Sequence, residues 1–263
     1  TAPTVRGGRH FFLKREGDQN QPILYLRPGA GLPARVLLDP NKLSKDGTTS
    51  LDWYFPSHDG TKLAYGLSQS GNERSVLHVL DVNSGQELGE RIPDCRAASV
   101  AWEPDGQGFY YTRYPKKGSV NAGDENYYRK VFHHRLGDDM GKDGAVFGSG
   151  RAAQDWPSVD LSRDGRWLVV TVSVGWTRND VYLKDLQKSG ADWVTLAEKN
   201  ESLYAVDVIG DNLFITTNEG APRFRVFRAT PERPERDAWQ EIIPEAAAVL
   251  ENIAPIGGRL FAL

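Results

Sequence analysis

SRDGRWLVV, Ser162 to Val170, couples a turn to an apolar run. The aspartate offers a side-chain acceptor to nearby backbone N–H groups, and the glycine takes a positive φ without a Cβ clash, so the DG pair marks a chain reversal. After it, Trp167, Leu168, Val169 and Val170 are apolar at consecutive positions, not alternate ones, so both faces of the strand must be buried. A sheet with two dry faces needs a packed neighbour on each side, as the blades of a propeller have and the sheets of an ordinary sandwich do not.

The unit recurs. Registered on the turn glycine, it returns as GGRHFFL from Gly7, DGTKLAY with Gly60, DGQGFYY with Gly106, DGRWLVV with Gly165, GDNLFIT from Gly210 and GGRLFAL from Gly257, at spacings of 53, 46, 59, 45 and 47 residues. Periods in this range belong to propeller blades; helical repeats are shorter and carry a 3.6-residue pattern. A second strand follows each of the first five turns, in QPILYL, SVLHVLDV, KVFHHRL, DVYLKDL and RFRVFRA, as expected of antiparallel neighbours. More mixed stretches such as WVTLAEKN, Trp193 to Asn200, suit outer strands. The expected fold is all-β: four-stranded antiparallel blades, five to six of them, forming one propeller domain over residues 1–263. The long interval holds RYPKKGSVNAGDENYYRK, Arg113 to Lys130, which reads as a loop inserted between two strands of one blade. ATPERPERDAWQ, from Ala229, reads as a second loop, its two prolines breaking any strand.

The totals narrow the function. A net charge of −3 gives no general attraction to nucleic acid, and no run of about 18 apolar residues is present to span a membrane, so neither partner is expected. The single cysteine, Cys95, cannot form an internal disulfide and nothing marks an oxidising compartment. Cytoplasmic placement is expected, with the periplasm or secretion as the alternative. The start TAPTVRGG and the apolar RLFAL at the other end suggest part of a longer chain, whose exposed blade edges would favour self-association.

Catalytic patterns are largely missing. GLSQSG, Gly66 to Gly71, lacks the second glycine of a nucleophile elbow and lies between strands, not before a helix. GAGLPA, Gly29 to Ala34, is followed by the strand RVLL where a phosphate-binding helix should begin. His133 and His134 are adjacent, so on a strand they point to opposite faces and cannot share a ligand; no metal or other cofactor is expected. Asp59 and Asp164, each preceding a turn glycine, are turn residues and not an acid or base, and the Asp138/Asp139 pair belongs to no recognisable acid–base arrangement. Of the tryptophans, Trp53, Trp102 and Trp167 fall in or beside the repeating strands and suit the core. Trp156 and Trp176 lie at the two ends of the Gly165 hairpin, where a blade opens onto a face that can meet a ligand or another domain.

The passage ARVLLDPNKLSKDGTTSLDWYFPSHDGTKLAYGLSQSGNERSVLHVLDVNSGQEL, Ala34 to Leu88, resembles the propeller domain of the prolyl oligopeptidases, through LDPN, DGT, the DG turn with LAYGLS-x-SG, and DV-x-SG. VAWEPDGQGFYYTRYP and LSRDGRWLVVTVS fit the same family in the same order. Propellers of dipeptidyl and acylaminoacyl peptidases share such turns but not this passage. The resemblance implies a seven-bladed parent ring, of which this chain carries an incomplete part, joined to an α/β-hydrolase domain with a Ser-Asp-His triad. It implies a serine endopeptidase that cleaves short proline-containing peptides on the carboxyl side of proline, with the propeller gating and lining the substrate chamber. No triad residue falls in this chain, so catalytic residues are assigned to none of its positions. Alignment through LSRDGRWLVV places two chamber-lining positions at Trp156 and Trp176, where the family often has other residue types. A third region near Ala97 follows Cys95, itself better explained as a small buried thiol. The rival expectations are a stand-alone propeller serving as a protein-interaction scaffold and, from a loose Asp-box likeness of SRDGRW, a carbohydrate-active propeller.

Overall fold

The computed structural model describes residues 2–256 and 259–263. Its contacts divide the chain into two compact units, Thr1–Ala153 and Gln154–Leu263. The first unit holds three four-stranded blades: β1 to β4 (Thr4–Arg6, Arg9–Lys14, Ile23–Arg27, Arg35–Leu38), β5 to β8 (Thr49–Pro56, Lys62–Gln69, Val76–Asp81, Glu87–Ile92) and β9 to β12 (Val100–Trp102, Gly108–Arg113, Lys130–Arg135, Ala145–Phe147). The second holds β13 to β16 (Trp156–Leu161, Trp167–Val174, Arg178–Asp185, Val194–Ala197), β17 to β20 (Tyr204–Ile209, Asn212–Thr217, Arg225–Ala229, Gln240–Ile243) and the pair β21 and β22 (Ile253–Ile256, Arg259–Ala262). In every sheet the strands pair antiparallel in chain order. Helical structure among the described residues is limited to 3-10 turns at Pro40–Lys42, Met140–Lys142 and Arg236–Ala238.

The DG turns join the first strand of a blade to its second. In the second blade Ser57 N donates to Lys62 O (2.9 Å) and Gly60 N to Ser57 O (2.9 Å), closing the loop. Ser57 Oγ donates to Asp59 Oδ1 (2.6 Å) and accepts from Lys62 N (3.0 Å), while Asp59 also takes the N–H and hydroxyl of Thr61. Ser162, Asp164, Arg166 and Trp167 repeat the arrangement in the fourth blade. The turn assignment of both aspartates therefore holds. Gly60 has φ +68, and a Cβ there would stand 2.6 Å from Arg6 O of the first blade, so the position needs glycine for its backbone and for the approach of its neighbour. The turn at Gly257 and Gly258 lies outside the described residues.

Successive residues of the second strands serve different seams. Leu63 and Tyr65 pack with Phe11, Leu24, Leu26 and Leu80 between the first and second blades. Ala64 packs with Leu77, Val79, Val100, Trp102, Phe109 and Tyr111 between the second and third. In the second unit Trp167, Val169, Val181 and Leu183 meet Tyr204, Leu213, Ile215, Phe227 and Trp239. Two-sided burial holds for β6, β10 and β14 but not for β2, where Phe11 is buried while Phe12 is half-buried and stacks on Tyr25, nor for β22, where Phe261 is exposed.

Polar ties cross the same seams. Trp53 Nε1 donates to Cys95 O (3.1 Å) in the connection between the second and third blades, and Trp102 Nε1 of the third blade donates to Phe55 O (2.9 Å) of the second. In the second unit the Asn179 amide donates to Tyr204 O and accepts from Tyr204 N, both at 2.8 Å. Arg166 stacks over Trp167 and grips Asp185 (2.9 Å) and Glu232 (2.8 Å). Trp102 and Trp167 are buried as their strand positions imply, whereas Trp53 is half-buried because its ring lies across the strand pair against Gly66. The segment between β10 and β11 is the inserted loop, and the stretch after Ala229 is a loop with the 3-10 turn at Arg236–Ala238.

Two stability predictions follow from these contacts. A Cβ on Gly66 would lie 2.2 Å from the Trp53 indole, so Gly66→Ala is expected to destabilise by roughly 1–3 kcal/mol through overpacking; urea unfolding checks this, and an unchanged midpoint contradicts it. Burial acts upward on Asp59, but hydrogen bonds from Ser57 and Thr61, helped by Lys62, outweigh it and bring its pKa down to about 2. Its contribution is thus full above about pH 4 and is lost as the pH falls toward the folded value. The stability gap between wild type and Asp59→Asn should narrow across that window; a gap independent of pH would rule the contribution out.

Candidate functional site

Trp156 opens β13 and pairs with Ser173 near the end of β14. The β14–β15 hairpin closes with Val174 opposite Arg178, leaving Gly175, Trp176 and Thr177 as the loop, with Gly175 at φ +72. A three-residue hairpin loop of this kind needs one positive-φ residue, and the glycine supplies it. Along β13 the side chains alternate, Pro157 and Val159 inward, and Trp156 is left at the strand end, 39% exposed. Trp176, carried at the tip of the loop, is 97% exposed.

The two tryptophans border the same recess. With Gln154, Ser173 and Gly175 they line one open recess of about 450 Å³. None of these five residues carries a side chain that ionises, so the residues lining the recess supply no general base, general acid or ion partner. It offers flat aromatic surface with one amide and one hydroxyl among its walls, which suits holding an apolar or aromatic group. The sequence singled out the two tryptophans but not Gln154, Ser173 or Gly175. Ser173 could have been found by counting outward from the Asp164–Gly165 turn, since antiparallel register sets it opposite Trp156.

The other residues weighed from sequence are structural. Ser68 is buried on β6, with its hydroxyl donating to Asp52 Oδ1 (3.0 Å). Gly29 to Ala34 form the loop between β3 and β4. His133 and His134 point to opposite faces: His133 meets Glu103 (2.9 Å), and His134 is buried against Asp143 (2.9 Å). Cys95 is fully buried, and that burial pushes its thiol up to about 12, leaving it unreactive at neutral pH. Ala97 beside it is exposed with φ +44. No helix among the described residues is long and apolar enough to cross a membrane.

Comparison with known proteins agrees with this architecture. The family model described as the prolyl oligopeptidase N-terminal β-propeller domain matches residues 1–263. The chain is 33% identical over 265 residues to a prolyl endopeptidase of Elizabethkingia meningoseptica, covering 100% of this chain and 37% of that protein. It is 30% identical over 275 residues to prolyl oligopeptidase A of Galerina marginata, covering 95% and 37%. It thus spans little more than a third of these relatives' length. A solved structure from a structural and mechanistic study of two prolyl endopeptidases superposes with a TM-score of 0.92 at 37% identity, over 100% of this chain and 39% of that one. Prolyl oligopeptidase B of Galerina marginata, at 23% identity and a TM-score of 0.83, shares the fold over 96% of this chain. With its four-strand blades, its turn-registered repeat and a family match that runs its whole length, the chain belongs to the prolyl oligopeptidase N-terminal β-propeller family.

Proposed function

We propose that this chain is the propeller part of a prolyl oligopeptidase, a serine-type endopeptidase cleaving short peptides after proline, and that its Trp156–Trp176 recess lines the substrate chamber. The convergence of the two indoles on one unionised recess carries the chamber assignment; the match over residues 1–263 supports the peptidase reading. In this proposal the partner is an α/β-hydrolase domain of the same protein. Its serine would attack the prolyl carbonyl, the leaving amine would take the proton held by the histidine, and water would release the acyl-enzyme. The propeller supplies no group to those steps. It acts by holding short proline-containing peptides and excluding bulkier ones.

An indole pair that packs on a substrate side chain does so equally in the ground and transition states, so it lowers KM and leaves kcat nearly unchanged. The proposed compartment is the cytoplasm, with the periplasm or secretion as the alternative, and the reduced, buried Cys95 is compatible with it; fractionation of the source cells checks it. Exposed Val36 on β4 and Val194 on β16 support self-association through blade edges; sedimentation as a monomer at high concentration would remove that part.

The full-length protein should release the chromophore from a proline-containing chromogenic peptide. Trp156→Ala and Trp176→Ala should each raise KM about two- to tenfold, the range set by one lost aromatic contact, with kcat within about twofold. No cleavage after proline would leave the interaction-scaffold reading standing. Cleavage with both KM values unchanged would keep the peptidase and reject the recess as chamber wall.

A further inference from the structure

A second recess, of about 470 Å³, lies in the first unit over β6, β7 and β8, and Gln69, Asn72, Arg74, His78, Glu87 and Arg91 are among its walls. The loop from β6 to β7 shapes it. Ser70, Gly71 and Glu73 take positive φ values of 52, 68 and 54. Ser70 N donates to Thr48 O (3.0 Å) and Ser75 Oγ to Asp52 Oδ2 (2.5 Å), so both ends of the loop are tied to β5 and the residue before it. Between these ties Asn72 N donates to Gln69 O (3.1 Å), and Asn72 Oδ1 accepts from Arg74 N (2.9 Å). The loop is thus set before any ligand arrives, and it presents Arg74 with its side chain 38% exposed.

The guanidinium so presented is underused. Its closest carboxylate, Asp94, stands 3.9 Å away, beyond hydrogen-bond reach, and among the described residues its N–H groups donate to no protein atom. Glu87, by contrast, is already satisfied: Oε1 accepts from Tyr65 Oη (3.0 Å) and Oε2 from Arg91 Nη2 (3.1 Å). Burial lowers the His78 pKa, so its imidazole, stacked on Tyr65, adds no charge at neutral pH. The ionised walls, Arg74 and Arg91 against Glu87, therefore carry a net positive charge. Among the described residues the side-chain NH2 groups of Gln69 and Asn72 also donate to no protein atom, and Leu43, Leu67 and Val76 give the same recess an apolar wall.

A guanidinium beside amide donors and an apolar wall matches a carboxylate and an apolar side chain carried on one carbon, which is the end of a peptide chain. The guanidinium fork meets the two carboxylate oxygens, and the amides meet the last peptide group. A phosphate would use the charge and leave the apolar wall uncovered, and an acidic side chain brings no apolar group with its carboxylate. We infer that Arg74, with Gln69, Asn72 and the apolar wall of Leu43, Leu67 and Val76, forms a binding site for the C-terminal carboxylate of a peptide whose last residue is apolar. Arg91, held by Glu87 and 68% exposed, adds charge at the rim. The site is independent of the peptidase reading, because it takes a chain end and not a scissile bond.

The test is calorimetric titration of the full-length protein with N-acetylleucine, its amide, inorganic phosphate and the α-amide of N-acetylglutamic acid, none of which is a product of cleavage after proline. N-acetylleucine should bind about tenfold or more tighter than its amide, the difference set by one charge-assisted pair, and neither of the other two anions should displace it. Arg74→Gln should bring the acid down to the level of the amide with the melting temperature unchanged, and Arg91→Gln should weaken it only about two- to fivefold, as for an exposed charge. Arg96→Gln, whose guanidinium pairs with Glu73 (2.6 Å) and is not among the walls, should change nothing. A wild-type crystal soaked in N-acetylleucine should show the ligand against Arg74, a measurement needing no variant. No binding, acid and amide bound alike, displacement by phosphate or the glutamic acid amide at equal affinity, or an affinity unaltered in Arg74→Gln would overturn the site.

Discussion

Ser57 and Ser162 each use one hydroxyl twice, donating to the turn aspartate and accepting the N–H of the residue that begins the next strand. That closed set of bonds leaves no freedom in where the second strand of a blade starts. Parity follows from the start: Leu63 and Tyr65 are directed to one seam and Ala64 to the other. A slip of one residue would put Tyr65 where only the methyl of Ala64 fits, so the packing of three blades in the first unit rests on the geometry of a short polar loop.

The seams themselves combine apolar packing with a few long-range polar ties. The Trp102 indole bonds to a backbone carbonyl of the second blade and the half-buried Trp53 indole to one in the connection between the two blades, so each ring's N–H is satisfied at the seam. Gly66 is the counterpart of Trp53, since the missing side chain is the space the ring occupies. Such pairs make the seam specific, because an aliphatic residue of similar volume would fill it without binding the neighbouring backbone.

The blade architecture was legible in sequence because its cause is local. Turn chemistry lies within five residues, and consecutive apolar positions report two-sided burial. The exceptions are β2 and β22, which carry the same pattern, yet in β2 only Phe11 is buried and in β22 no residue is. The recess at Trp156 was half legible. Its two indoles stood out by residue type, and the strand-end argument placed them on a blade face, but their convergence depends on a three-residue loop whose course composition does not reveal. The seam around His134 was not legible. Its sequence neighbour His133 drew attention to a pair that the strand separates, while its hydrogen-bond partner Asp143 comes from the turn before β12.

Every sheet pairs its strands in the order in which they are made, and each described seam joins blades consecutive in the chain. Little loop entropy must therefore be lost before a contact forms, which favours fast, sequential assembly. On a ribosome, the first seam has all its buried residues once Val82 has emerged, while the Ala64 face of the same blade must wait for Tyr111. A nascent chain paused between those points would present a finished surface on one side and a bare apolar one on the other. The vulnerable moment in its synthesis is thus the interval between neighbouring blades, and translation speed through residues 83–111 bears directly on yield.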